Sequence, residues 1–237
     1  MEVEQRSVVI TGAYGGLGRF VAHRLAELGA RLVLVGTDAE KLAGLAKELP
    51  PSFADWLAVP VDLVQPEAAG KVLQAALARF GRVDILLHLV GGWMGGKPVV
   101  DVQAEDVIHM LQQHLWTTFY LAQALVPHLL ANGWGRVVVV SSPSVTDTPA
   151  KRLPYTVGKS AEEALILTLA KELSGSQVTA NVLRVKTIDV EHERDRKPAP
   201  ANRSWTTPEE ILAALLYLCS AEGQAVNGAR IPLYGSD

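Results

Sequence analysis

The segment that decides the fold is residues 7–18, which read Ser-Val-Val-Ile-Thr-Gly-Ala-Tyr-Gly-Gly-Leu-Gly. Its first five residues predict a short apolar strand, and apolar side chains at helical spacing predict a helix over 16–28. Gly12 permits a tight bend, while Gly16 and Gly18 allow the backbone to approach a phosphate and the helix to pack on the strand. The N-terminus of that helix favours negative charge. The segment therefore predicts a dinucleotide site at the end of the first strand.

The rest of the chain repeats this alternation of strand and helix. Apolar runs predict the other strands at 31–35, 56–61, 83–90, 136–141, 177–185 and 228–233. Helical periodicity predicts further helices at 38–49, 65–80, 104–131, 154–174 and 208–220. This rhythm is typical of a doubly wound α/β fold of the Rossmann type, with helices on both faces of a parallel sheet. We expect residues 1–237 to form a single domain around a seven-stranded sheet of order 3-2-1-4-5-6-7.

Composition limits the possible functions. The chain has 237 residues and a formal net charge of −3, without the basic stripe that would indicate a nucleic acid or membrane surface as partner. Cys219 is the only cysteine, so an internal disulfide is impossible and a reducing cytoplasm is the expected location. Residues 1–6 are charged and do not resemble a signal peptide, and no apolar run is long enough to cross a bilayer. The six histidines lack metal-ligand spacing, so we expect no metal site.

Three polar residues in the second half predict acid–base chemistry. Tyr155 and Lys159 are four residues apart on a predicted helix, a spacing that places both side chains on one face. An ammonium beside a phenol favours the phenolate, so Tyr155 could exchange a proton with a substrate oxygen near neutral pH. Ser142, at the end of the fifth strand, could orient that oxygen. A turn hydroxyl or a helical Tyr–Lys pair is common alone, but together with the glycine turn these residues indicate an oxidoreductase.

The end of the second strand leaves the choice between NAD and NADP open. An acid placed there would bind the ribose of NAD, but this strand is followed by Gly36 and Thr37 before Asp38. We expect Asp38 to cap the next helix rather than to bind the ribose. The stretch contains no arginine for a 2′-phosphate, yet the missing acid gives a slight preference for NADP. Asp62, after the third strand, fits an adenine contact and a turn equally well.

The loop at 91–96 is interpreted as a wall of the active site. Trp93 and Met94 would give a flat, adaptable apolar surface for a ring-shaped substrate. Glycines on both sides would leave Trp93 poorly packed, which favours the pocket over the core for this side chain. His114 and Ser144 are further candidates for the substrate pocket.

Two other features have mainly structural interpretations. His88, late in a buried strand, is expected to be a core histidine with satisfied hydrogen bonds. Residues 191–203 are charged and contain prolines, which predicts a solvated, mobile loop. The functional alternative for this loop is a lid over the substrate.

These residues resemble the short-chain dehydrogenase/reductase family over essentially the whole chain. The turn at 11–18 fits the family pattern TGxxxGxG, and Ser142, Tyr155 and Lys159 match its catalytic serine, tyrosine and lysine. The resemblance implies that the tyrosine is the acid/base, that the serine positions a substrate carbonyl, and that the lysine assists the tyrosine and holds the cofactor ribose. It also implies a homodimer or homotetramer, often built by pairing the helices that follow the fourth and fifth strands.

The glycine turn, the strand ends and this resemblance together give the expected cofactor contacts. They are Gly12, Tyr14, Gly15, Gly16, Leu17, Gly18, Gly36, Thr37, Asp38, Asp62, Leu63, Val90, Gly91, Gly92, Tyr155, Lys159, Val185, Thr187 and Ile188.

The chain departs from the family pattern at three places. Where the family has Asn-Asn-Ala-Gly after the fourth strand, residues 88–91 read His-Leu-Val-Gly. His114 stands at the position of the family's helical asparagine, which organises a proton relay, and a histidine could relay protons instead. Lys186 follows Val185 where the family has Pro-Gly. These changes suggest a non-catalytic alternative, a dinucleotide-binding regulator that has lost turnover.

One branch of the family shows a closer local resemblance. Residues 90–96, Val-Gly-Gly-Trp-Met-Gly-Gly, look like the VAGGWAGG segment of quinoid dihydropteridine reductases, and residues 187–189 and 202–209 look like the same branch. The resemblance implies that Trp93 lies beside a flat pterin ring. That branch lacks the catalytic serine, whereas this chain has Ser142. We therefore expect hydride transfer between nicotinamide and a small carbonyl, alcohol or imine-like substrate, with a pterin reductase as the alternative.

Overall fold

The computed structural model describes residues 3–50 and 55–234. Residues 1–2, 51–54 and 235–237 of the expected single domain lie outside these ranges. Within the described residues the strands are β1 (Ser7–Thr11), β2 (Arg31–Gly36), β3 (Trp56–Pro60), β4 (Ile85–His88), β5 (Gly135–Ser141), β6 (Val178–Arg184) and β7 (Arg230–Pro232). They form one seven-stranded sheet of order β3-β2-β1-β4-β5-β6-β7, and every neighbouring pair is parallel. The predicted strand order and fold class are confirmed.

Helices cover both faces of this sheet, as predicted. In the described ranges they are α1 (Gly16–Glu27), α2 (Ala39–Glu48), α3 (Ala68–Phe80), α4 (Ala104–Leu111), α5 (Thr117–Ala131), α6 (Ser144–Asp147), α7 (Leu153–Glu172), α8 (Glu193–Arg196) and α9 (Pro208–Leu218). Because successive strand residues point to opposite faces, Val8 and Ile10 pack with α1, α2 and α9, whereas Val9 packs with α3, α5 and α7. None of these helices is long and apolar enough to span a bilayer.

The long helix predicted at 104–131 is interrupted. A π-helical turn, Gln112–Trp116, separates α4 from α5, and Pro127 lies inside α5. Two threonine hydroxyls support the turn, since Thr117 donates to the Gln113 carbonyl at 2.7 Å and Thr118 to the His114 carbonyl at 2.6 Å. The inserted residue of such a turn is often functional.

Several other predicted boundaries move. β4 ends at His88 rather than at residue 90, because the next two residues leave the sheet to pass over Gly12. Helix α3 begins at Ala68 rather than at residue 65. The predicted loop at 191–203 contains the short helix α8.

The glycine turn depends on close packing at Gly18. A β-carbon there would meet the Gly12 carbonyl oxygen and would lie 2.9 Å from the Ala13 Cα. We expect Gly18→Ala to lower the free energy of unfolding by about 1–3 kcal/mol, the usual cost of overpacking. Gly44, inside α2, is the matched control because a β-carbon there meets nothing within 4 Å. Gly44→Ala should raise the free energy of unfolding by about 0.5–1 kcal/mol. Urea denaturation of both variants measures these changes, and equal stability of the two would contradict the packing argument.

Candidate active site

The glycine turn joins β1 to α1 and faces the backbone that follows β4. Gly12 adopts φ +68°, which favours glycine, and a β-carbon there would lie 2.9 Å from the Leu89 carbonyl oxygen. The two backbone segments can therefore approach each other this closely only if residue 12 has no side chain. The N-terminus of the twelve-residue α1 opens directly from this turn. It presents unpaired backbone N–H groups and the positive end of the helix dipole, which suits an anion.

A cavity of about 290 Å³ lies beside this turn, at the carboxyl ends of β1, β2 and β4. Its lining includes the predicted contacts Gly12, Tyr14, Gly15, Gly36, Thr37, Asp62, Leu63, Val90 and Gly91. Gln113 and Thr117 also line it, and the sequence did not indicate them because their position depends on the π-helical turn. The expected contacts Gly16, Leu17, Gly18, Asp38, Gly92, Tyr155, Lys159, Val185, Thr187 and Ile188 do not line it.

The edge of the cavity at β2 is occupied by Tyr14. Its hydroxyl lies 2.8 Å from the Thr37 hydroxyl, and its ring lies against Gly36, where a β-carbon would collide with it. Asp38 is the N-cap of α2, as predicted, since one of its oxygens accepts the backbone N–H groups of Glu40 and Lys41 at 3.0 Å. The other oxygen lies 3.4 Å from the Lys41 ammonium. Both carboxylate oxygens of Asp38 are thus engaged by its own helix.

The charge state of Asp38 follows from these contacts. The backbone N–H of Lys41 is the largest influence and lowers the pKa of the Asp38 carboxyl. The Lys41 side chain acts in the same direction, and its ammonium also stands 5.5 Å from the centre of the Tyr14 ring. This end of the cavity therefore combines two hydroxyls, one ammonium and a carboxylate that is already paired.

Asp62 combines both of the roles weighed for it. One of its carboxylate oxygens accepts the Val64 backbone N–H at 3.1 Å, which is a turn contact, and the residue also lines the cavity. Its exposed position leaves further acceptor capacity on the cavity side.

The segment after β6 lies over the glycine turn. Val190 is close enough to Gly16 that a β-carbon there would stand 2.8 Å from a valine methyl group. The Thr187 carbonyl accepts the Thr206 N–H at 2.9 Å, and Ile188 forms a parallel bridge with Thr206. These bonds fix residues 187–190 at the rim of the site.

Ser142 and Ser144 form a buried pair at the end of β5. The Ser142 hydroxyl donates to the Ser144 oxygen at 3.2 Å and accepts the Ser144 backbone N–H at 3.2 Å. Both side chains are almost completely buried. A hydroxyl can rotate between acceptors, so Ser142 can present its proton to another oxygen by releasing Ser144.

Tyr155 and Lys159 lie on the first turns of α7, and Tyr155 is partly exposed. The Lys159 ammonium donates to the Val140 carbonyl at 2.7 Å and to a carboxylate oxygen of Glu162 at 2.7 Å. Lys159 is 3% exposed and Glu162 is fully buried. The sequence analysis missed Glu162. Its spacing of three from Lys159 on a helix was the available signal.

Two histidines lie next to this group. The ring of His114 contacts that of Tyr155 edge to face, with centroids 5.8 Å apart, and its Nε2 lies 3.3 Å from the Gly92 carbonyl oxygen. Because a carbonyl only accepts, Nε2 carries the proton and Nδ1 is a buried acceptor without a hydrogen-bond partner among the described residues. Burial and then the charge of Lys159 lower the pKa of His114 to about 2, so the ring is neutral. The relay role of His114 stays a prediction.

His88 is a buried core histidine with satisfied hydrogen bonds, as expected. Its Nδ1 lies 2.7 Å from the Thr11 hydroxyl, and its Nε2 lies 3.3 Å from the Thr117 oxygen and 4.0 Å from Glu162. The Thr117 proton is used in the bond to Gln113, so Nε2 of His88 is the donor. Burial, followed by the charge of Lys159, lowers the pKa of His88 to about 3, which keeps it neutral.

Trp93 is 59% exposed, so it is not part of the core. Its ring lies beside Gly95, where a β-carbon would come within 2.9 Å of the indole. Met94 lines a small cavity of about 130 Å³ together with Val102 and Pro154, the second residue of α7. The 91–96 loop therefore contacts the start of the helix that carries Tyr155.

The charged segment 191–203 is extensively paired. Asp189 accepts the backbone N–H groups of Glu193 and Arg194 at 2.8 Å each, and Arg194 pairs with Glu210 at 3.0 Å. His192 adopts φ +54° and pairs with Glu209 at 2.9 Å. These contacts tie the segment to α9, so a purely solvated loop does not describe it.

The residues present fit a dinucleotide. Gly91 has open space where a side chain would stand, and it continues the cavity that begins at Gly12. Contacts connect this end of the cavity to Tyr155, because His114 contacts both the carbonyl of Gly92, the next residue after Gly91, and the Tyr155 ring. Among the residues that the structure describes, no three His, Cys, Asp or Glu side chains are grouped to hold a metal ion.

Comparison with known proteins agrees with this geometry. Residues 6–201 match the family model described as short chain dehydrogenase. The chain is 30% identical to a 1,6-dihydroxycyclohexa-2,4-diene-1-carboxylate dehydrogenase of Pseudomonas putida, over 97% of this chain and 91% of that protein. It is 27% identical to a 2,3-dihydroxy-2,3-dihydro-p-cumate dehydrogenase of the same species, over 99% of this chain and 95% of that protein.

Solved structures show the same fold. A short chain dehydrogenase from Bacillus anthracis superposes with a TM-score of 0.86 at 27% identity, over 98% of this chain and 95% of that chain. A 7α-hydroxysteroid dehydrogenase complexed with NADH and 7-oxo glycochenodeoxycholic acid gives a TM-score of 0.88 at 23% identity, over 99% of this chain and 94% of that chain. The family match covers most of the chain, from before β1 to beyond α8. The chain therefore belongs to the short-chain dehydrogenase family and is an oxidoreductase with a fold that binds a nicotinamide dinucleotide.

Proposed function

We propose that this protein transfers hydride between a nicotinamide dinucleotide and a ring-borne secondary alcohol or its ketone, with Tyr155 as the acid/base. The observation that carries the proposal is the connection between the cavity at the glycine turn and the residues around Tyr155. The cavity at the glycine turn reaches Gly91, and contacts of His114 with the Gly92 carbonyl and with the Tyr155 ring connect it to the start of α7, the helix that also carries Lys159. We also propose that residues 1–237 form a single domain and that the protein is located in the cytoplasm.

The substrate class is supported by the loop and by the relatives. The exposed indole of Trp93 and the side chain of Met94 offer an apolar surface beside the start of α7, which suits a flat or puckered ring. Two of the relatives described above are named as dehydrogenases of ring-borne dihydroxy acids. We therefore propose cyclic alcohols and dihydrodiols as the first substrates to test.

Each residue has a role that follows from its chemistry. Tyr155 gives its phenolic proton to the substrate oxygen during reduction and takes a proton from it during oxidation. Ser142 donates a hydrogen bond that holds the same oxygen. Lys159 has three N–H groups, of which Val140 and Glu162 accept two, so one is left for a cofactor ribose hydroxyl. When bound, the nicotinamide supplies or accepts the hydride.

Removing the Tyr155 hydroxyl tests the acid/base role. Tyr155→Phe should lower kcat at least ~100-fold, the lower range of general acid–base contributions, while the affinity for reduced cofactor stays within about twofold. Steady-state kinetics and cofactor fluorescence measure the two quantities. Tyr217→Phe is the control, since Tyr217 is half-exposed on α9, away from the site. Full activity of Tyr155→Phe with a true substrate would refute the assignment.

For the cofactor we propose NADP. Asp38 acts as the N-cap of α2 and pairs with Lys41, which favours a structural role for it over binding of a ribose hydroxyl. Tyr14 and Thr37 line that edge of the cavity, and the Lys41 ammonium stands 5.5 Å from the centre of the Tyr14 ring. One of the two hydroxyls donates to the other, and the remaining hydroxyl proton together with one cation suits a 2′-phosphate.

Lys41 provides the test of cofactor choice. Lys41→Gln should weaken NADPH binding about tenfold, the effect of losing one exposed phosphate contact of about 1.4 kcal/mol, and should leave NADH binding almost unchanged. Lys47→Gln, in the last turn of the same helix, should change neither affinity. Fluorescence titration with each reduced cofactor gives the four values. Stronger binding of NADH than NADPH by the unmodified protein would overturn the assignment.

We also propose a homodimer or homotetramer that pairs α5 and α7 of two copies. A shallow, mainly apolar groove of about 630 Å³ runs between these helices in one copy. It is lined by Leu115, Phe119, Ala122, Gln123, Val126, Pro127, Ala161, Ala164, Leu165, Thr168, Leu169 and Glu172. Covering such a surface with a second copy would remove apolar area from water.

A charge placed in the groove tests this assembly. Ala164 is a small exposed residue on α7, and Ala164→Arg should shift the protein to monomers because two guanidinium groups would be brought together without partners. Ala43→Arg, at an exposed position of α2, is the control and should leave the assembly unchanged. Light scattering after size-exclusion chromatography measures the mass. A monomeric unmodified protein would contradict the proposal.

One substrate panel separates the proposed function from its two alternatives. Cyclic alcohols, dihydrodiols and ketones are assayed beside quinoid dihydropterin, each with NADPH or NADP as required. Turnover of the dihydropterin alone would favour the pterin reductase that the 90–96 segment suggests. Tight NADPH binding without turnover of any compound would favour the non-catalytic regulator.

A further inference from the structure

The Lys159 ammonium has a buried counter-ion. Glu162 lies one turn further along α7, is fully buried, and accepts a hydrogen bond from Lys159 at 2.7 Å. The Thr118 hydroxyl of α5 lies 3.3 Å from its other oxygen, and Nε2 of His88 in β4 lies 4.0 Å from the same oxygen. Groups from three elements of the fold therefore surround the carboxylate, and the Lys159 ammonium donates its short hydrogen bond.

The geometry assigns a role to this carboxylate. We propose that Glu162 is a positioning residue that fixes the Lys159 ammonium and offsets its charge, and thereby sets how readily Tyr155 ionises. The proposal deepens the proposed function, on which it rests, because it concerns the acid/base of the same site.

The charge balance around the pair supports this role. An isolated ammonium in a buried site would strongly favour a nearby phenolate, because charges interact more strongly out of water. A carboxylate in direct contact with it makes the pair neutral as a whole and weakens that effect. Burial raises the pKa of the Glu162 carboxyl, and Lys159 is the largest influence in the opposite direction.

The other titratable groups nearby do not replace this balance. His88 from β4 and His114 from the π-helical turn are held neutral by burial and by Lys159. His109 of α4 acts on His114 only as a minor influence. Glu163, the next residue on α7, forms ion pairs with Arg184 of β6 at 2.6 Å and with Arg230 of β7 at 2.8 Å.

The test measures the ionisation of Tyr155 directly. The phenolate absorbance of the cofactor-free protein is titrated with pH, and the same titration of Tyr155→Phe is subtracted to isolate this tyrosine from the others. The subtraction is repeated in the Glu162→Gln background. Glutamine keeps the shape and one acceptor but removes the charge, so the pair becomes cationic. We expect the Tyr155 midpoint to fall by about one pH unit.

Glu163→Gln is the matched control. It removes a buried, ion-paired carboxylate from the adjacent position of the same helix, and it leaves Arg184 and Arg230 without that partner. It should therefore lower stability without moving the Tyr155 midpoint. If Glu162 were only structural, the two variants would behave alike. An unchanged or raised midpoint in Glu162→Gln overturns the proposal.

A double variant covers the case in which Glu162→Gln does not fold. Lys159→Met with Glu162→Gln removes both charges, so it leaves no lone buried ion. Because the pair is neutral before and after this change, the Tyr155 midpoint should stay within about half a pH unit of the unmodified protein. A rise of about one unit or more would mean that Lys159 acts alone, which also overturns the proposal.

Failure of this inference is distinguishable from failure of the proposed function. The titration needs neither substrate nor turnover, so an inactive protein still gives a Tyr155 midpoint. If the protein is active, the tyrosine-dependent step in the pH profile of kcat/KM should shift in the same direction as the titration midpoint of Tyr155. If the unmodified protein is active but the Tyr155 midpoint does not move in Glu162→Gln, the role of Glu162 is rejected and the proposed function stands.

Discussion

The whole site depends on one close approach between two backbone segments. Gly12 lies so near to the Leu89 carbonyl that a β-carbon would stand 2.9 Å from it. This contact holds the turn after β1 against the chain that leaves β4, at the point where the strand order reverses. A crevice opens there because the connections from neighbouring strands run in opposite directions. The cavity, the N-terminus of α1 and the 91–96 loop all take their positions from it.

The half of the site that contains Tyr155 and Lys159 is organised around buried charge rather than around open space. Lys159 and Glu162 would each be costly to bury alone, and their direct contact makes the burial tolerable. The neutral ring of His88 lies 4.0 Å from Glu162 on one side, and the Val140 carbonyl accepts from Lys159 on the other. Such a network places the ammonium more rigidly than a solvated lysine would be placed. A histidine late in β4 can be accommodated in the core because the Thr11 and Thr117 hydroxyls bond to its two ring nitrogens.

Local sequence patterns were sufficient for the sheet and for most elements. The alternation of apolar runs and helical periodicity predicted every strand of the described residues, and the strand order was confirmed. The π-helical turn at Gln112–Trp116 could not be predicted, because it depends on threonine hydroxyls bonding to carbonyls four residues earlier. Glu162 escaped notice for a related reason. A Lys–Glu pair at helical spacing usually lies on the surface, and only the packed structure shows that this one is buried.

The π-helical turn has a consequence for the helix that follows it. Gln113 and Thr117 reach the cavity, while His114 between them reaches Tyr155, so the two ends of the site share one turn of backbone. An α-helix advances by about 100° per residue. The extra residue in the turn therefore sets the rotational phase of α5 relative to α4. Deleting one residue here would turn the following side chains away from both ends of the site at once, even though every strand of the sheet could remain in register.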